Sequence, residues 1–406
     1  MSCVVEYGVE AHVDLDVPAD KLLALCAGPQ VALDDVSAAV GTALGAPLNY
    51  PALARATVPG DHILLALEAG VPQASALVAA MVGYLVEHGA TADHIGVLTT
   101  PESVAAGEED PREMLPEKWR GEVSLEVHAP EISASLSLLG SSHEGKPIYL
   151  NRTLLDADLV VPIGCLRGGA TIGYYGRYGG LFPAFADAKT RQRFGKPAGP
   201  KTGRQRAVKE REEIDEVGWL LGTQFTVQVL PGPSARVLRV LAGELPEVYR
   251  QGEAEYVAVW TCSVPRRASL VVASVSGGAS QQTWENLARA LSAASRVTAD
   301  GGAIALCTQL SAEPGGAVNG LSQSDDLSLA LKRIARDGQP DAAIAVQLAR
   351  SMEQGKVYLL SRLDESLVED LGLAPVGDAG ELGRLARSHD SCIVLANAQY
   401  VLPVLS

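Results

Sequence analysis

The chain has 406 residues, and its 33 Lys and Arg against 48 Asp and Glu give a formal net charge of -15. This acidic balance argues against a protein that coats nucleic acid or binds anionic membranes. Hydrophobic residues make up 47% and charged residues 20%, which excludes a disordered or fibrous chain. The length predicts two domains.

Apolar runs typical of buried strands alternate with Ala-rich helical patterns along the first half of the chain. Strands are predicted at residues 62–68, 95–100, 157–163 and 225–230, with a helix at 75–88. No apolar run approaches the 18 residues that a membrane span requires, so we expect no membrane partner. The alternation predicts an α/β fold with two domains, each a mostly parallel sheet covered by helices.

The second half of the chain repeats this alternation. A connecting helix is predicted at residues 244–255 and a new strand at 256–261. Further strands are predicted at 269–276, 303–308, 356–361 and 391–397, with a helix at 281–293. We place the domain change near residue 250, so that residues 1–250 form the N-terminal domain and 251–406 the C-terminal domain.

The six cysteines are scattered over the chain without a C-x-x-C pair. This spacing favours reduced thiols and, with no basic and apolar leader in the first residues, a cytoplasmic protein. Cys165 lies at a predicted strand end, where it is either a nucleophile, a soft metal ligand or a small buried thiol; the last is favoured because no base lies nearby in sequence.

Common catalytic and nucleotide-binding motifs are absent, so the order of several longer segments along the chain carries more information than any single motif. In the first half these are VGTALGAPLNYPAL, HILLALE, IGVLTTPES, LLGSSHEGKPIYL and ADLVVPIG. In the second half they are SVSGGASQQTWENLARALSAASRVTADGGAIAL, AIAVQLARS and KVYLLSRL. In this order the segments resemble the nickel-pincer lactate racemase family over nearly the whole chain.

The resemblance implies a two-domain α/β fold with the site in the interdomain cleft. In that family a nickel ion is held by a pyridinium-derived nucleotide that is thioamide-linked to a lysine. The cofactor takes a hydride from the α-carbon of a 2-hydroxy acid and returns it on either face, while two histidines exchange the hydroxyl proton.

The positions that carry this chemistry in the family hold other residues here. Gly169 stands at one catalytic histidine, Gly179 at the lysine, and Thr99 at the second histidine. A glycine has neither an amine nor an imidazole, and a hydroxyl group is a poor base at neutral pH. Residues 164–188 contain no lysine or histidine. We therefore predict that the nickel-pincer nucleotide is not tethered and that no metal is bound.

Binding positions of the family keep more of their chemistry. Glu68 replaces an aspartate at the end of the first predicted strand, whereas Val71 replaces an arginine. The family's Gln and Lys at a helix start become Asn286 and Arg289. A third histidine, which helps to bind nickel in the family, would fall near Arg211 or Glu212, and no histidine lies between His143 and His389.

The segment 165–183 contains six glycines, three tyrosines and two arginines. It is either a cradle for an anion or nucleotide, with arginines on a carboxylate or phosphate, or a tight loop whose glycines only satisfy backbone geometry. The predicted ligand-binding residues are Glu68, Thr99, Thr100, Arg167, Tyr174, Tyr175, Arg177, Tyr178, Asn286 and Arg289.

A basic segment runs from Lys189 to Arg211 in this acidic chain. Its charged members are Lys189, Arg191, Arg193, Lys196, Lys201, Arg204, Arg206, Lys209 and Arg211. Such a run is usually a solvated face; the alternative is a lid or a docking arm for an anionic ligand or an acidic partner. Among the histidines, His128 is the first to test for a role beyond structure.

These observations leave three hypotheses open. The first is a diverged or non-catalytic relative of the racemases that binds a small anion, a hydroxy acid or a nucleotide, in the cleft. The second is an active racemase or epimerase of 2-hydroxy acids that uses tyrosines as proton carriers and Arg177 as the carboxylate clamp, which requires a lowered tyrosine pKa. The third is a protein-interaction module that uses the basic segment.

Overall fold

The computed structural model describes residues 2–168, 173, 176–196, 203–323 and 326–406. Up to residue 127 the elements are β1 (Ser2–Tyr7), β2 (Ala11–Asp16), β3 (Leu22–Cys26), α1 (Val36–Gly45), β4 (Ile63–Leu67), α2 (Ala74–Glu87), β5 (Ile95–Thr99), α3 (Pro101–Ala105), α4 (Glu117–Glu122) and β6 (Ser124–Val127).

The central elements include a β-hairpin and a long helix, α7. In chain order they are β7 (Leu136–Ser141), β8 (Pro147–Asn151), α5 (Arg152–Asp156), β9 (Leu159–Cys165), α6 (Ala188–Gly195), α7 (Gly203–Leu221), β10 (Phe225–Pro231), β11 (Val237–Glu244), α8 (Leu245–Trp260) and β12 (Thr261–Val264).

The last part of the chain forms most of a second sheet and its helices. These elements are β13 (Ala268–Ser274), α9 (Trp284–Val297), β14 (Thr298–Cys307), α10 (Gly316–Ser322), α11 (Leu327–Asp337), α12 (Ala342–Gln354), β15 (Lys356–Leu360), α13 (Glu365–Asp370), β16 (Ala374–Pro375), α14 (Ala379–Ser388), β17 (Cys392–Leu395) and β18 (Leu402–Leu405).

The first sheet has the strand order β11-β10-β9-β4-β5-β6 and is parallel except for β11. Every residue of β4 is buried, as expected for a central parallel strand with both faces covered. From β4 the chain moves outward to β5 and β6, and it then returns to β9 on the other side of β4. The strand order therefore reverses between β4 and β9, which is where open parallel sheets form a crevice at the carboxyl ends of their strands.

The second sheet has the order β16-β15-β14-β13-β17-β3, and its paired strands are parallel. The chain moves from β13 to β14 and β15 and later returns to β17 on the other side of β13. A second reversal thus lies between β13 and β17. The amide of Gln281, which follows β13, donates a hydrogen bond of 3.0 Å to the carbonyl of Gly70, which follows β4. The two reversals therefore face each other across the domain interface.

The predicted fold class, an α/β protein with mostly parallel sheets covered by helices, is confirmed. The strand predicted at residues 256–261 is wrong, because α8 continues to Trp260. Tyr256 and Trp260 are four residues apart, so they lie on one face of the helix, and both are buried there. The domain change near residue 250 stays a prediction. Residues 22–26, near the start of the chain, belong to the second sheet, because β3 pairs with β17.

The prediction of six reduced cysteines is wrong for one pair. Cys26, at the end of β3, forms a disulfide with Cys262 in β12, 236 residues further along the chain. Nothing in the sequence spacing marks this pair, because it is brought together only by the packing of β12 near β3. The free cysteines Cys3, Cys165, Cys307 and Cys392 are buried. Within the described part of the chain, no helix is both long enough and apolar enough to cross a membrane.

Candidate functional site

Glu68 and Arg167 meet at the reversal of the first sheet. Glu68 directly follows β4, and Arg167 lies two residues after β9, so parallel pairing of these strands brings both residues to the same sheet edge. Arg167 is only 4% exposed. Its Nη1 atom is buried and has no hydrogen-bond partner among the described residues. An unpaired buried donor of this kind is costly and calls for an acceptor.

The Glu68 carboxyl group is enclosed by backbone. A Cβ atom on Gly180 would lie 2.0 Å from Glu68 Oε1, and one on Gly164 would lie 2.7 Å from the same oxygen. These glycines are therefore required here by the close approach of Glu68. Burial raises the pKa of Glu68 to about 7, although the positive charge of Arg167 acts in the opposite direction. Glu68 can thus gain or lose a proton near neutral pH.

The C-terminal domain contributes the start of α9. The Thr283 side chain caps this helix by accepting a hydrogen bond of 3.1 Å from the backbone N–H of Asn286. The buried Arg289 donates from Nη1 to Asn286 Oδ1 at 2.7 Å and from Nη2 to Glu285. Burial lowers the pKa of Arg289 to about 10, and the nearby Arg167 acts in the same direction. Arg289 therefore keeps its positive charge at neutral pH.

Glu68, Arg167, Asn286 and Arg289 form a cluster at the interface between the two sheets. Two further carboxyl groups belong to it that the sequence analysis did not predict, those of Glu108 and Glu285. Glu108 accepts a hydrogen bond of 2.6 Å from the Gly70 amide, and burial raises its pKa against the charge of Arg167. Glu285 pairs with Arg289 and also faces Glu68 and Glu108. The position of Glu285 beside Asn286 at a helix start was a usable signal; for Glu108, in an irregular segment after α3, there was none.

The predicted residues Thr99 and Thr100 lie at the end of β5, on the same sheet edge as Glu68. The Thr99 hydroxyl donates a hydrogen bond of 3.4 Å to the carbonyl of Glu126. Thr100 Oγ1 is buried without a partner among the described residues. The structure therefore places both threonines at the carboxyl edge of the first sheet, and their role in ligand binding stays a prediction.

Arg177 and Tyr178 contact α7. Arg177 Nη2 pairs with Asp215 Oδ2 at 3.1 Å, and both side chains are partly exposed. The Tyr178 ring is packed against Gly218, where a Cβ atom would lie 2.2 Å from the ring. Burial raises the pKa of Tyr178, whereas a tyrosine base at neutral pH needs a lowered one. Tyr174, Tyr175 and Gly169 lie outside the described residues.

Three of the nine basic residues of this segment pair with carboxylates of their own chain. Arg193 makes a bidentate ion pair with Glu213, with N–O distances of 2.5 and 2.6 Å. Arg206 Nε pairs with Glu210 at 2.6 Å, and Arg191 pairs with Glu102. Residues 197–202 lie outside the described residues. These pairs favour the solvated face over a docking arm for an acidic partner, which stays a prediction.

His128 and Cys165 have structural environments. His128 is buried, its Nε2 lies 2.9 Å from the Ala186 carbonyl, and its Nδ1 lies 3.4 Å from the Asn151 amide. Burial lowers the pKa of His128, which favours the neutral ring. Burial likewise raises the pKa of Cys165, which keeps it a thiol and makes it a weak nucleophile.

The side chains around Glu68 do not fit the nickel-pincer nucleotide. Gly179, at the position of the family's lysine, lies in a turn next to Gly180. The ionisable groups that face Glu68 among the described residues are guanidinium, carboxyl and thiol groups, none of which forms a thioamide tether. No group of three or more His, Cys, Asp or Glu side chains suited to a metal ion occurs among these residues.

Comparisons with known proteins agree with this architecture. Residues 7–194 match the family described as lactate racemase N-terminal domain. Over 274 residues the chain is 22% identical to the lactate racemase of Thermoanaerobacterium thermosaccharolyticum. That match covers 64% of this chain, and the chain spans 64% of the length of that relative.

Solved structures extend the similarity to the whole fold. The structure of the lactate racemase apoprotein from Thermoanaerobacterium thermosaccharolyticum matches with a TM-score of 0.78 and 18% identity, covering 100% of both chains. A crystal structure of a Thermotoga maritima protein matches with a TM-score of 0.66 and 15% identity, covering 93% of this chain and 100% of that one. At these identities the structural matches establish the fold.

Proposed function

We propose that this chain, which is similar to lactate racemases in sequence and fold, is a relative of theirs that binds a small carboxylate, such as a 2-hydroxy acid, between its two sheets. It does so without a tethered nickel nucleotide, as a diverged and non-catalytic relative of the racemases. The carboxylate accepts hydrogen bonds from Arg167 at the crevice between β4 and β9.

The observation that carries this proposal is the buried Nη1 atom of Arg167, which has no hydrogen-bond partner in the described part of the chain. A guanidinium group is a fork of donors that matches a carboxylate, and it is always charged. Arg289 is already occupied by Asn286 and Glu285, so Arg167 is the better anchor for an incoming anion. Thr100 Oγ1, at the same sheet edge, is a further polar group without a partner among the described residues.

The absence of a tether is supported by the residues themselves. Gly179 has no amine to carry a thioamide, and Thr99 stands where the family has a catalytic histidine. Intact-mass measurement and metal analysis of the purified protein should therefore find the mass of the unmodified chain and no stoichiometric nickel. A covalent adduct on any lysine would contradict this part of the proposal.

Binding is tested by isothermal titration calorimetry with D-lactate, L-lactate and glycolate. The wild-type protein should bind at least one of them, and Arg167→Met should weaken binding at least tenfold because the charge-assisted hydrogen bonds are lost. The matched control is Arg177→Gln, which removes an arginine that pairs with Asp215, and it should bind as the wild type does. Equal affinities for wild type and Arg167→Met would refute the assignment.

A second candidate function is a racemase or epimerase of 2-hydroxy acids that uses residues other than those of the family. One observation favours it: Glu68, beside Arg167, has a pKa of about 7 and suits a general acid or base. Chiral chromatography after incubation with a single lactate enantiomer tests this candidate. Appearance of the opposite enantiomer with wild type but not with Glu68→Gln would establish it over the binding-only proposal.

A further inference from the structure

The charge balance of the cluster points to a proton as the second binding partner. We infer that a carboxylate binds at Arg167 together with one proton, which Glu68 carries as a neutral carboxyl group that donates a hydrogen bond to Gln228. This inference rests on the proposed function for the carboxylate, and it adds Glu68 and Gln228 as residues that determine when the carboxylate binds.

Gln228, in β10, has a buried side-chain oxygen that lacks a hydrogen-bond donor among the described residues. The amide is 1% exposed, and its Nε2 donates to Thr226 Oγ1 at 3.0 Å. The Thr226 hydroxyl donates in turn to the Pro162 carbonyl at 3.0 Å, so Thr226 Oγ1 must accept from Gln228. This chain fixes the orientation of the Gln228 amide. Its oxygen, Oε1, is then left buried without a hydrogen-bond partner in the described part of the chain.

The Glu68 carboxyl group is the neighbour that can supply this donor. A Cβ atom on Gly164 would lie 2.7 Å from Gln228 Oε1 and 2.7 Å from Glu68 Oε1. The two oxygens therefore lie within twice that distance of each other, over the same glycine. An ionised carboxylate has no hydrogen to donate, whereas the hydroxyl of a protonated Glu68 can donate to the amide oxygen of Gln228 when it turns toward it.

The charged groups around Glu68 act in both directions: Arg167 and Arg289 lower the pKa of its carboxyl group, whereas Glu285 raises it. Arg167 faces Glu68 from the segment after β9, and Arg289 and Glu285 face it from α9. Cys165, at the end of β9, is a neutral thiol, and Glu108 faces Arg167 from the segment after α3. With Glu68 included, the cluster therefore contains two guanidinium groups and three carboxyl groups.

An incoming carboxylate adds one more negative charge to this cluster. If Glu68 stayed ionised, the excess of negative charge in the cluster would be two. A proton on Glu68 lowers that excess to one and leaves Arg167 free to serve the ligand. Because burial already places the pKa of Glu68 at about 7, the proton is available near neutral pH.

Calorimetry with L-lactate as the probe measures the proton directly. Titrations at pH 8 in HEPES and in Tris, whose ionisation enthalpies differ, should show uptake of close to one proton per bound lactate. The affinity should fall up to tenfold for each pH unit above about 7. Glu68→Gln, whose amide can still donate to Gln228, should take up no proton and bind with little pH dependence. Asp215→Asn is the matched control and should keep the uptake of the wild type.

A second measurement needs no ligand. Infrared difference spectra of the wild type between pH 6 and pH 9 should contain the C=O stretching band of a protonated carboxyl group that is absent from Glu68→Gln. Gln228→Met should shift the titration of this band to lower pH, because the neutral carboxyl group loses its acceptor.

The outcomes separate the two proposals. Lactate binding without proton uptake, or with the same pH dependence in Glu68→Gln, overturns the inference and leaves the proposed function standing. Absence of the carboxyl band from the wild-type spectra overturns the role of Glu68 whether or not lactate binds. Failure of the wild type to bind any of the tested carboxylates refutes the proposed function and, with it, the coupled binding.

Discussion

The pH dependence of stability should change when Glu68 is replaced by Gln. The pKa of Glu68 rises from 4.5, its usual value, to about 7 in the folded protein because the carboxyl group is buried. Each pKa unit corresponds to about 1.4 kcal/mol, so the ionised carboxylate lowers the free energy of unfolding by about 3 kcal/mol at high pH.

The sign follows from proton binding in the two states. Below pH 4.5 the folded and unfolded chains both carry the proton, and Glu68 imposes no cost. Between that pH and about 7 the folded chain holds the proton more tightly than the unfolded chain, so stability falls as pH rises. Above about 7 the folded chain has also lost the proton, and the full cost remains.

Urea unfolding of wild type and Glu68→Gln at pH 5 and pH 8 measures this effect. Because the amide is neutral at both values, the stability of Glu68→Gln relative to wild type should increase by about 2 to 3 kcal/mol from pH 5 to pH 8. Asp215→Asn, which alters a carboxyl group at the surface of α7, should retain the wild-type pH dependence. Parallel pH profiles for wild type and Glu68→Gln would refute the reasoning that Glu68 is buried as an acid.

Two further predictions concern stability away from ligand binding. Reduction of the disulfide, or Cys26→Ser, should lower the thermal midpoint, because a crosslink across 236 residues restricts the unfolded chain and contributes up to about 5 kcal/mol; an unchanged midpoint on adding reductant would show that Cys26 and Cys262 are not bonded. Gly180→Ala should lower the free energy of unfolding by about 1 to 3 kcal/mol, since its Cβ would lie 2.0 Å from Glu68 Oε1. Its control is Gly41→Ala in α1, where a Cβ meets no atom within 4 Å, and urea unfolding should show a gain of up to about 1 kcal/mol; a Gly180→Ala protein as stable as the wild type would contradict the close approach.

Most strands of the two sheets could be predicted because they are short apolar runs between turns. The strand predicted at residues 62–68 is β4, from Ile63 to Leu67, and the helix predicted at 75–88 is α2, from Ala74 to Glu87. The error at residues 256–261 has a physical cause. Tyr, Val and Trp have high β-propensity, but Tyr256 and Trp260 lie one helical turn apart and are buried together, and tertiary packing overrides local propensity.

The candidate site could be predicted only in part. Glu68, Arg167, Asn286 and Arg289 are brought together as the resemblance implies, because strand ends and a helix start converge at the interface. Tyr178 and Arg177, predicted from the same glycine-rich segment, are paired with α7 instead. A segment rich in glycine does not determine in which direction each of its side chains points. The sequence therefore could not show that Arg167 is buried beside Glu68 whereas Arg177 pairs with Asp215.

By itself the sequence determined the α/β class and most strands of the two sheets, and the resemblance implied that the lysine and histidines of the racemase chemistry are replaced. These properties are local, since they depend on side-chain periodicity and residue identity over a few positions. The tertiary structure alone decided that β3 joins the second sheet, that Cys26 meets Cys262, and that two buried guanidinium groups and three partly buried carboxyl groups lie together at one interface. Each of these depends on contacts between residues far apart in the chain, and the free energy of a charge depends on its distance from water and from other charges, which only the folded arrangement sets.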